Sequence, residues 1–143
     1  MPSIVSLPGK LPEGEVRDQM ATGCDWLPTI ADLCGIELPD RKYDGKSILP
    51  VIRSADAPSP HDHFFWLLGR GKNAQWAVHK GDWKLLGNVR DTSNRQKNVK
   101  VDKIFLANLK SDISESQNVA AANPQVVDEL TEIMQSHMDS LQQ

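Results

Sequence analysis

The sequence contains no long apolar run, no excess of positive charge and only two cysteines among its 143 residues. No run approaches the ~18 apolar residues that a membrane-spanning helix needs, so we expect no membrane segment. With a net charge of -3, the chain lacks the basic surface that binds nucleic acid or anionic lipid, and neither partner is predicted. The first residues carry no basic segment followed by an apolar one, and no signal peptide is predicted.

The two cysteines, Cys24 and Cys34, lie at the two ends of a predicted helix. One helix length separates the thiols by roughly 13–15 Å, which is too far for a disulfide. We therefore interpret both as structural thiols, and the redox compartment stays open.

The clearest pattern that is present is the segment from Gln75 to Leu86, QWAVHKGDWKLL. A two-residue loop of Lys80 and Gly81 suits a primed hairpin turn, since glycine tolerates the positive φ that such turns need. This loop predicts four cross-strand pairs: His79 with Asp82, Val78 with Trp83, Ala77 with Lys84 and Trp76 with Leu85. The large apolar members of these pairs share one face, which we expect to be the floor of a hydrophobic core; they are Trp76, Val78, Trp83 and Leu85.

Aromatic and branched residues recur in four runs, which predicts an antiparallel meander of strands at residues 63–68, 75–79, 83–89 and 101–109. An amphipathic helix follows, with Asn123 as its N-cap and Pro124 in its first position. A sheet with one apolar face and a helix with one apolar stripe bury each other. The predicted fold class is therefore α+β. A linker rich in proline and small residues, 55–62, separates residues 1–54 from residues 63–143.

The residues before the linker predict a short strand at Ile4 and Val5 and a helix that follows Asp25. Asp25 is interpreted as the N-cap of this helix, with its carboxylate accepting from the free amides of the first turn. Gly35 is a fitting end for the helix.

Few residues are candidates for chemistry. His61 and His63 would share one face of a strand, but two ligands fall short of the three or four that a metal site needs. His79 and His137 are expected to be exposed to solvent. The segment SLPGK, which begins at Ser6, places a proline and a cation after a serine, and we interpret it as an ordinary turn.

Asp112, Glu115 and Asn118 recur at a spacing of three. We interpret Asp112 and Glu115 as a capping-box-like pair rather than a catalytic dyad, because they follow a strand and do not line a pocket. Arg70 and Lys72 lie in the loop after the first predicted strand, and loops at strand ends often carry binding groups. An anionic ligand would be attracted to these two cations, and a solvated loop is the competing interpretation.

Several motifs occur together in one order: Pro8-Gly9-Lys10, Asp25 with Pro28-Thr29, Asp44-Gly45, Gly81-Asp82-Trp83-Lys84-Leu85, and then Leu106, Leu109, Asp112, Glu115 and Asn118. In these motifs the chain resembles the C-terminal portion of arylsulfatase-type sulfatases, of the alkaline-phosphatase-like superfamily, from about Pro2 to about Leu130. It departs from the family at Ala107-Asn108, where Tyr-Asp is usual, and at Ile113, where Pro is usual. The resemblance implies that residues 1–54 are a remnant, a strand and helices, of a larger α/β sulfatase domain.

Sulfatases use a formylglycine, made from the first residue of a Cys/Ser-x-Pro-x-Arg segment, beside a calcium ion. Neither cysteine here is followed by proline at the second position and arginine at the fourth. The resemblance therefore implies calcium and formylglycine for the intact parent, but no cofactor, metal ligand or catalytic residue in this chain. The small domain of the family lends loops to the substrate mouth, and Arg70 and Lys72 are the candidates for that role.

We therefore expect the C-terminal portion of a sulfatase, inactive alone, from a parent that hydrolyses sulfate esters of carbohydrates. One alternative is an independent module that binds a sulfated glycan or a protein, and another is part of a phosphate- or phosphonate-ester hydrolase of the same superfamily. The expected partner is the missing N-terminal sulfatase domain, with self-association through exposed apolar surface as a second expectation. Proteins of the family are often secreted, periplasmic or lysosomal, which leaves the localisation open.

Overall fold

The computed structural model describes residues 3–89 and 103–141. The chain divides into two compact units, unit 1 (Met1–Asp62) and unit 2 (His63–Gln143). Residues 55–62, predicted as a linker, belong to unit 1, and the first two residues of the strand predicted at 101–109 lie outside the described ranges. No helix within the described ranges is long and apolar enough to cross a membrane.

Unit 1 contains two helices, α1 (Trp26–Cys34) and α2 (Leu49–Arg53). The predicted end of α1 is confirmed, because Gly35 takes a left-handed conformation with φ 66 and stops the helix. The strand predicted at Ile4 and Val5 is wrong, since no described residue before Phe64 lies in a strand. A strand forms only beside a neighbour, whereas Ile4 is 95% exposed.

Unit 2 is built on an antiparallel sheet of four strands in sequential order. The strands are β1 (Phe64–Leu68), β2 (Gln75–Lys80), β3 (Trp83–Gly87) and β4 (Ile104–Asn108). Helix α3 (Pro124–Ser140) packs on one face of this sheet. The predicted meander and the α+β fold class are confirmed.

The β2–β3 hairpin turns at Gly81 and Asp82, one residue later than predicted. Of these two residues only Gly81 has a positive φ, 56°, which is the pattern of a type II′ turn. The four predicted pairs are therefore wrong, and the observed pairs are Lys80 with Trp83, His79 with Lys84, Val78 with Leu85, Ala77 with Leu86 and Trp76 with Gly87.

The predicted floor of the core is confirmed despite the shifted register, because a shift of two residues keeps every side chain on its own face. Val78 and Leu85 oppose each other and are fully buried together with Leu106 and Leu130. Trp76 lies over the glycine that ends β3, where a β-carbon would collide with the indole ring.

Helix α3 begins after Asn123, as predicted, but the side chain of Asn123 does not cap it. The side-chain amide instead donates to the carbonyl of Val119 at 2.9 Å. The predicted apolar stripe packs on the core through Val126, Val127, Leu130, Ile133 and Met134.

The outer edge of β4 is paired with the segment that leads to α3. The amide of Leu106 donates to Asn118 Oδ1 at 3.1 Å, and Asn118 Nδ2 donates to the carbonyl of Ile104 at 3.0 Å. The amide of Val119 donates to the carbonyl of Leu106 at 2.9 Å. Asn118 thus satisfies backbone groups that a bare sheet edge would leave open.

Candidate functional site

Unit 1 encloses a fully buried carboxylate, that of Asp25. It accepts from the amides of Thr22 at 2.7 Å and Lys46 at 2.9 Å, and it contacts Nε2 of His61 at 2.8 Å. Asp25 stands at the N-cap position of α1, but its side chain makes no capping bond to that helix. The predicted capping of α1 is therefore wrong, because the carboxylate is bonded to Thr22, which precedes the 3₁₀ turn Gly23–Asp25, and to two residues that are distant in sequence, Lys46 and His61.

Two further contacts fix this cluster. Gly45 allows the close approach of its segment, since a β-carbon there would collide with the carbonyl of Cys24. The hydroxyl of Thr29 donates to the carbonyl of Asp25 at 2.6 Å and accepts from the amide of Ile48 at 3.0 Å. The cluster thus joins α1 to the start of α2, and its enclosure suits a structural role rather than contact with a substrate.

His61 and His63 have different partners, so the placement of both on one strand face is wrong. His61 precedes β1, and its ring contacts Asp25. Nε2 of His63 instead lies 2.9 Å from Nε2 of His137. In the part of the chain that the structure describes, no three metal-ligating side chains come together.

His137, on α3, is half-buried and packs against two rings. The ring of Phe65 stacks on it with centroids 4.8 Å apart and planes 6° apart, and the ring of His63 meets it edge-on at 5.1 Å and 74°. Burial first, and then the charge of His63, lower the pKa of His137 below its ordinary value of 6.5. The expectation of a simply exposed His137 is therefore wrong.

Arg70 and Lys72, the predicted substrate-mouth cations, are both exposed on the loop between β1 and β2. Arg70 precedes a single 3₁₀ turn, Gly71–Asn73, and Lys72 lies within it. Neither side chain forms an ion pair with another described residue. The loop therefore presents two positive charges to solvent.

This loop is held by Asn88, a residue that sequence reasoning missed. Its Nδ2 donates to the carbonyls of Ala74 at 2.8 Å and Lys72 at 3.3 Å, and its backbone amide donates to the carbonyl of Lys103 at 2.9 Å. Asn88 has φ 54, a left-handed conformation that asparagine adopts more readily than most residues. The available signal was the dipeptide Gly87-Asn88, which is typical of turns.

The capping-box interpretation of Asp112 and Glu115 is wrong, because Asp112 organises a turn. Its carboxylate accepts from the amides of Ser116 at 2.8 Å and Gln117 at 2.9 Å. These hydrogen bonds, that of Gln117 first, hold the pKa of Asp112 below its ordinary value of 3.8. Glu115 instead accepts from Nζ of Lys84 at 2.6 Å.

The segment SLPGK forms a turn, as predicted, in which the amides of Lys10 and Leu11 donate to the carbonyl of Leu7 at 3.1 and 3.0 Å. Cys24 and Cys34 are free thiols, as the distance argument requires, and both are exposed.

A family model described as N-sulphoglucosamine sulphohydrolase, C-terminal, matches residues 1–143, the whole chain. The chain belongs to this family. It is the C-terminal portion of a sulfatase, as the motifs in its sequence predict.

Two relatives place this sulfatase portion within longer proteins. Arylsulfatase D of Homo sapiens is 36% identical over 91 residues, which cover 59% of this chain and 15% of that protein. The uncharacterized sulfatase YdeN of Escherichia coli (strain K12) is 28% identical over 158 residues, which cover 94% of this chain and 28% of that protein. The chain thus spans less than a third of the length of either relative.

Solved structures share the fold. The crystal structure of Ps i-CgsB matches with a TM-score of 0.69 at 24% identity, covering 90% of this chain and 26% of that one. BT4656, in complex with its substrate D-glucosamine-2-N,6-O-disulfate, matches with a TM-score of 0.57 at 19% identity, covering 80% of this chain and 23% of that one.

Sulfatase relatives imply a formylglycine and a calcium ion in the parent, and the cysteines of this chain and its structurally described residues fit neither group. Neither Cys24 nor Cys34 begins a Cys-x-Pro-x-Arg segment. Within residues 3–89 and 103–141, no cluster of three or more His, Cys, Asp or Glu side chains offers a metal its ligands. No step of sulfate-ester hydrolysis is therefore assigned to these residues.

Proposed function

We propose that this chain is a non-catalytic part of a sulfatase whose parent hydrolyses sulfate esters of carbohydrates. The observation that carries the proposal is the match to the sulphohydrolase C-terminal family over residues 1–143, in a sequence without a formylglycine segment. Carbohydrate substrates are supported by two neighbours in fold. BT4656 is described in complex with D-glucosamine-2-N,6-O-disulfate, and Ps i-CgsB in complex with k-i-k-neocarrahexaose.

A chromogenic aryl sulfate, incubated with the purified chain with and without calcium, tests this proposal. We expect no turnover above the buffer rate in either condition, because the chain supplies no activated nucleophile. Turnover that depends on calcium and scales with the concentration of the chain would contradict the proposal.

The exposed side of α1 supports a docking role for unit 1. Leu27 and Ile30 recur at helical spacing on α1, yet Leu27 is 51% and Ile30 54% exposed. Ile36, just beyond the helix, is 61% exposed. Burying a side chain of this kind stabilises a folded domain by about 1.5–3 kcal/mol, so a domain that folds alone ordinarily buries it. The α1 stripe, defined as Leu27, Ile30 and Ile36, docks on the catalytic part of the parent and mediates self-association when that part is missing.

Light scattering and binding of an environment-sensitive dye test the α1 stripe in the chain as it stands. We expect self-association or dye binding that falls in a Leu27→Gln/Ile30→Gln variant. Ile113→Gln is the matched control, because Ile113 is 84% exposed but lies in unit 2. A monomeric chain that binds no dye would exclude the docking role.

The loop of Arg70 and Lys72 is the part of unit 2 that we assign to a sulfated carbohydrate. Two exposed cations on a loop fixed by Asn88 lose little backbone freedom when they bind an anion, which favours affinity. Retention on a sulfated-glycan column should drop to a lower elution salt in an Arg70→Ala/Lys72→Ala variant. A Lys103→Ala/Lys110→Ala variant removes the same charge from two other exposed positions and should elute at a salt concentration close to that of the unsubstituted chain. Equal losses in both variants would mean that net charge alone determines retention.

A further inference from the structure

The contact between His63 and His137 has the geometry of a hydrogen bond between two rings. The Nε2 atoms lie 2.9 Å apart, and the ring centroids lie 5.1 Å apart. The difference between these distances is accounted for by the radii of the two rings, so the nitrogens point at each other. A metal ion bound by both nitrogens at about 2.0–2.1 Å in a tetrahedral site would hold them about 3.3 Å apart, farther than the 2.9 Å observed. A proton between the nitrogens is therefore the group that this geometry suits.

The pair connects two parts of unit 2 that are far apart in sequence. His63 directly precedes β1, and His137 lies in the last turn of α3. Phe65 of β1 stacks on the ring of His137. At the end of α3, the backbone carbonyl of His137 accepts from the amide of Leu141 at 3.2 Å. The ring of His137 thus links the last turn of α3 to the start of β1 through its contacts with His63 and Phe65.

Besides His137, α3 carries four ionisable side chains, all acidic: Asp128, Glu129, Glu132 and Asp139. On α3, Asp139 accepts from the side chain of Gln135 at 2.7 Å, and Glu129 pairs with Lys80 of β2 at 3.0 Å. Asp62 precedes His63, and His79 of β2 contacts the carbonyl of Gly81 at 2.9 Å. Of all these groups, His63 is the one whose charge acts on the pKa of His137.

Counting protons shows when the contact can exist. Two neutral rings form one hydrogen bond, with one Nε2 donating and the other accepting. One added proton keeps this bond and gives it charge assistance. A second added proton places an N–H on both facing nitrogens and a positive charge on both rings, so donor meets donor and the contact opens.

We propose that His63 and His137 form a proton-sharing clasp that fastens the last turn of α3 to the start of β1 and opens in acid. Opening separates the ring of His137 from Phe65 and frees the end of the helix, while the core around Leu130 keeps the rest of α3 in place. The clasp thus makes the C-terminal end of unit 2 responsive to pH between neutral and mildly acidic conditions.

Nuclear magnetic resonance on the full chain tests the clasp through two readouts at pH 7.5 and pH 5. Ring ¹⁵N shifts of His63 and His137 report which nitrogens carry protons, and amide protection factors over residues 137–140 report the end of α3. We expect complementary protonation of the two Nε2 atoms at neutral pH. In acid the protection factors should fall by roughly two- to tenfold, the effect of losing one hydrogen bond.

Two variants make the test specific. His63→Gln removes one partner without touching α3, and it should lower the protection of residues 137–140 at neutral pH and abolish the further fall in acid. His79→Gln is the matched control and should behave as the unsubstituted chain, because the ring of His79 hydrogen-bonds to the nearby carbonyl of Gly81 and does not contact His137. The proposal would be overturned if protection in the unsubstituted chain does not depend on pH. It would also be overturned if protection of residues 137–140 in His63→Gln still falls in acid by the same factor.

Discussion

Replacement of Asp25 by alanine should unfold unit 1 locally. The change removes the acceptor for the Thr22 amide, the Lys46 amide and the ring of His61. Leaving each of the two amides without its partner costs about 1 kcal/mol, because both are partly accessible to water. Leaving the more enclosed ring of His61 without its partner costs about 2–3 kcal/mol. We expect the free energy of opening of unit 1 to fall by about 4 kcal/mol, which is a large part of the 5–15 kcal/mol that stabilises a typical domain.

Amide hydrogen exchange followed by nuclear magnetic resonance measures this loss where it arises. Protection of the Thr22 and Lys46 amides should fall by roughly a thousandfold, since each 1.4 kcal/mol corresponds to about a factor of ten. Protection across α1 should fall with it, whereas β2 and β3 in unit 2 should keep theirs.

Asp32→Ala is the matched control for Asp25→Ala. Asp32 also lies in unit 1, but its carboxylate is exposed and accepts one hydrogen bond, from the hydroxyl of Ser47 at 2.7 Å. Its loss should change stability by no more than about 0.5 kcal/mol. If the two alanine variants exchange alike, the buried carboxylate is not what holds unit 1 together, and the argument fails.

Three further predictions concern unit 2. Gly87→Ala should lower the free energy of unfolding by about 1–3 kcal/mol, because the new methyl displaces the Trp76 indole; the shift in urea midpoint should exceed that of Gly81→Ala, where the added methyl has an open space and only φ is strained. Asn118→Ala should cost about 1–2 kcal/mol by the same measurement, since it leaves backbone groups of Leu106 and Ile104 on the edge of β4 without this partner. The lowered pKa of Asp112 means that its contribution to stability is fully present above pH 3.8 and is lost as the pH falls through the lower pKa of the folded state. Asp112→Asn should therefore flatten the acid limb of the melting-temperature profile below about pH 4, and an unchanged limb would count against this role.

The alternating pattern predicted the sheet well but did not determine the hairpin register. Large apolar residues at alternate positions place Trp76, Val78, Trp83 and Leu85 on one face in the predicted register and in the observed one, because the two differ by two residues. Burial therefore cannot choose between them. The observed register places Gly81 first in the turn, as a type II′ turn prefers, and fits the Trp76 ring over Gly87, a contact that sequence spacing does not encode.

The capping predictions were right about position and wrong about chemistry for one shared reason. Asp25 and Asn123 both stand where helices begin, as local spacing indicated. Their side chains bond elsewhere, and the partners of Asp25 include residues 21 and 36 positions away. A rule that considers only the next three residues cannot include competitors that tertiary folding brings in, and the link between His63 and His137 escaped prediction in the same way.

In unit 1 a charged side chain is buried while large aliphatic side chains are exposed, which is the reverse of the usual distribution. A carboxylate, Asp25, is fully buried there, while Leu27, Ile30 and Ile36 are each more than half exposed. A unit under selection to fold alone would gain more by burying the three aliphatic side chains than by enclosing a charge that needs three partners. The arrangement makes sense if the polar cluster fixes the shape of unit 1 and the aliphatic surface contributes to a core shared with another body. On the docking role proposed above, these polar hydrogen bonds hold the α1 stripe in position, so the Asp25→Ala variant should lose the self-association that light scattering would detect, even with the α1 stripe intact.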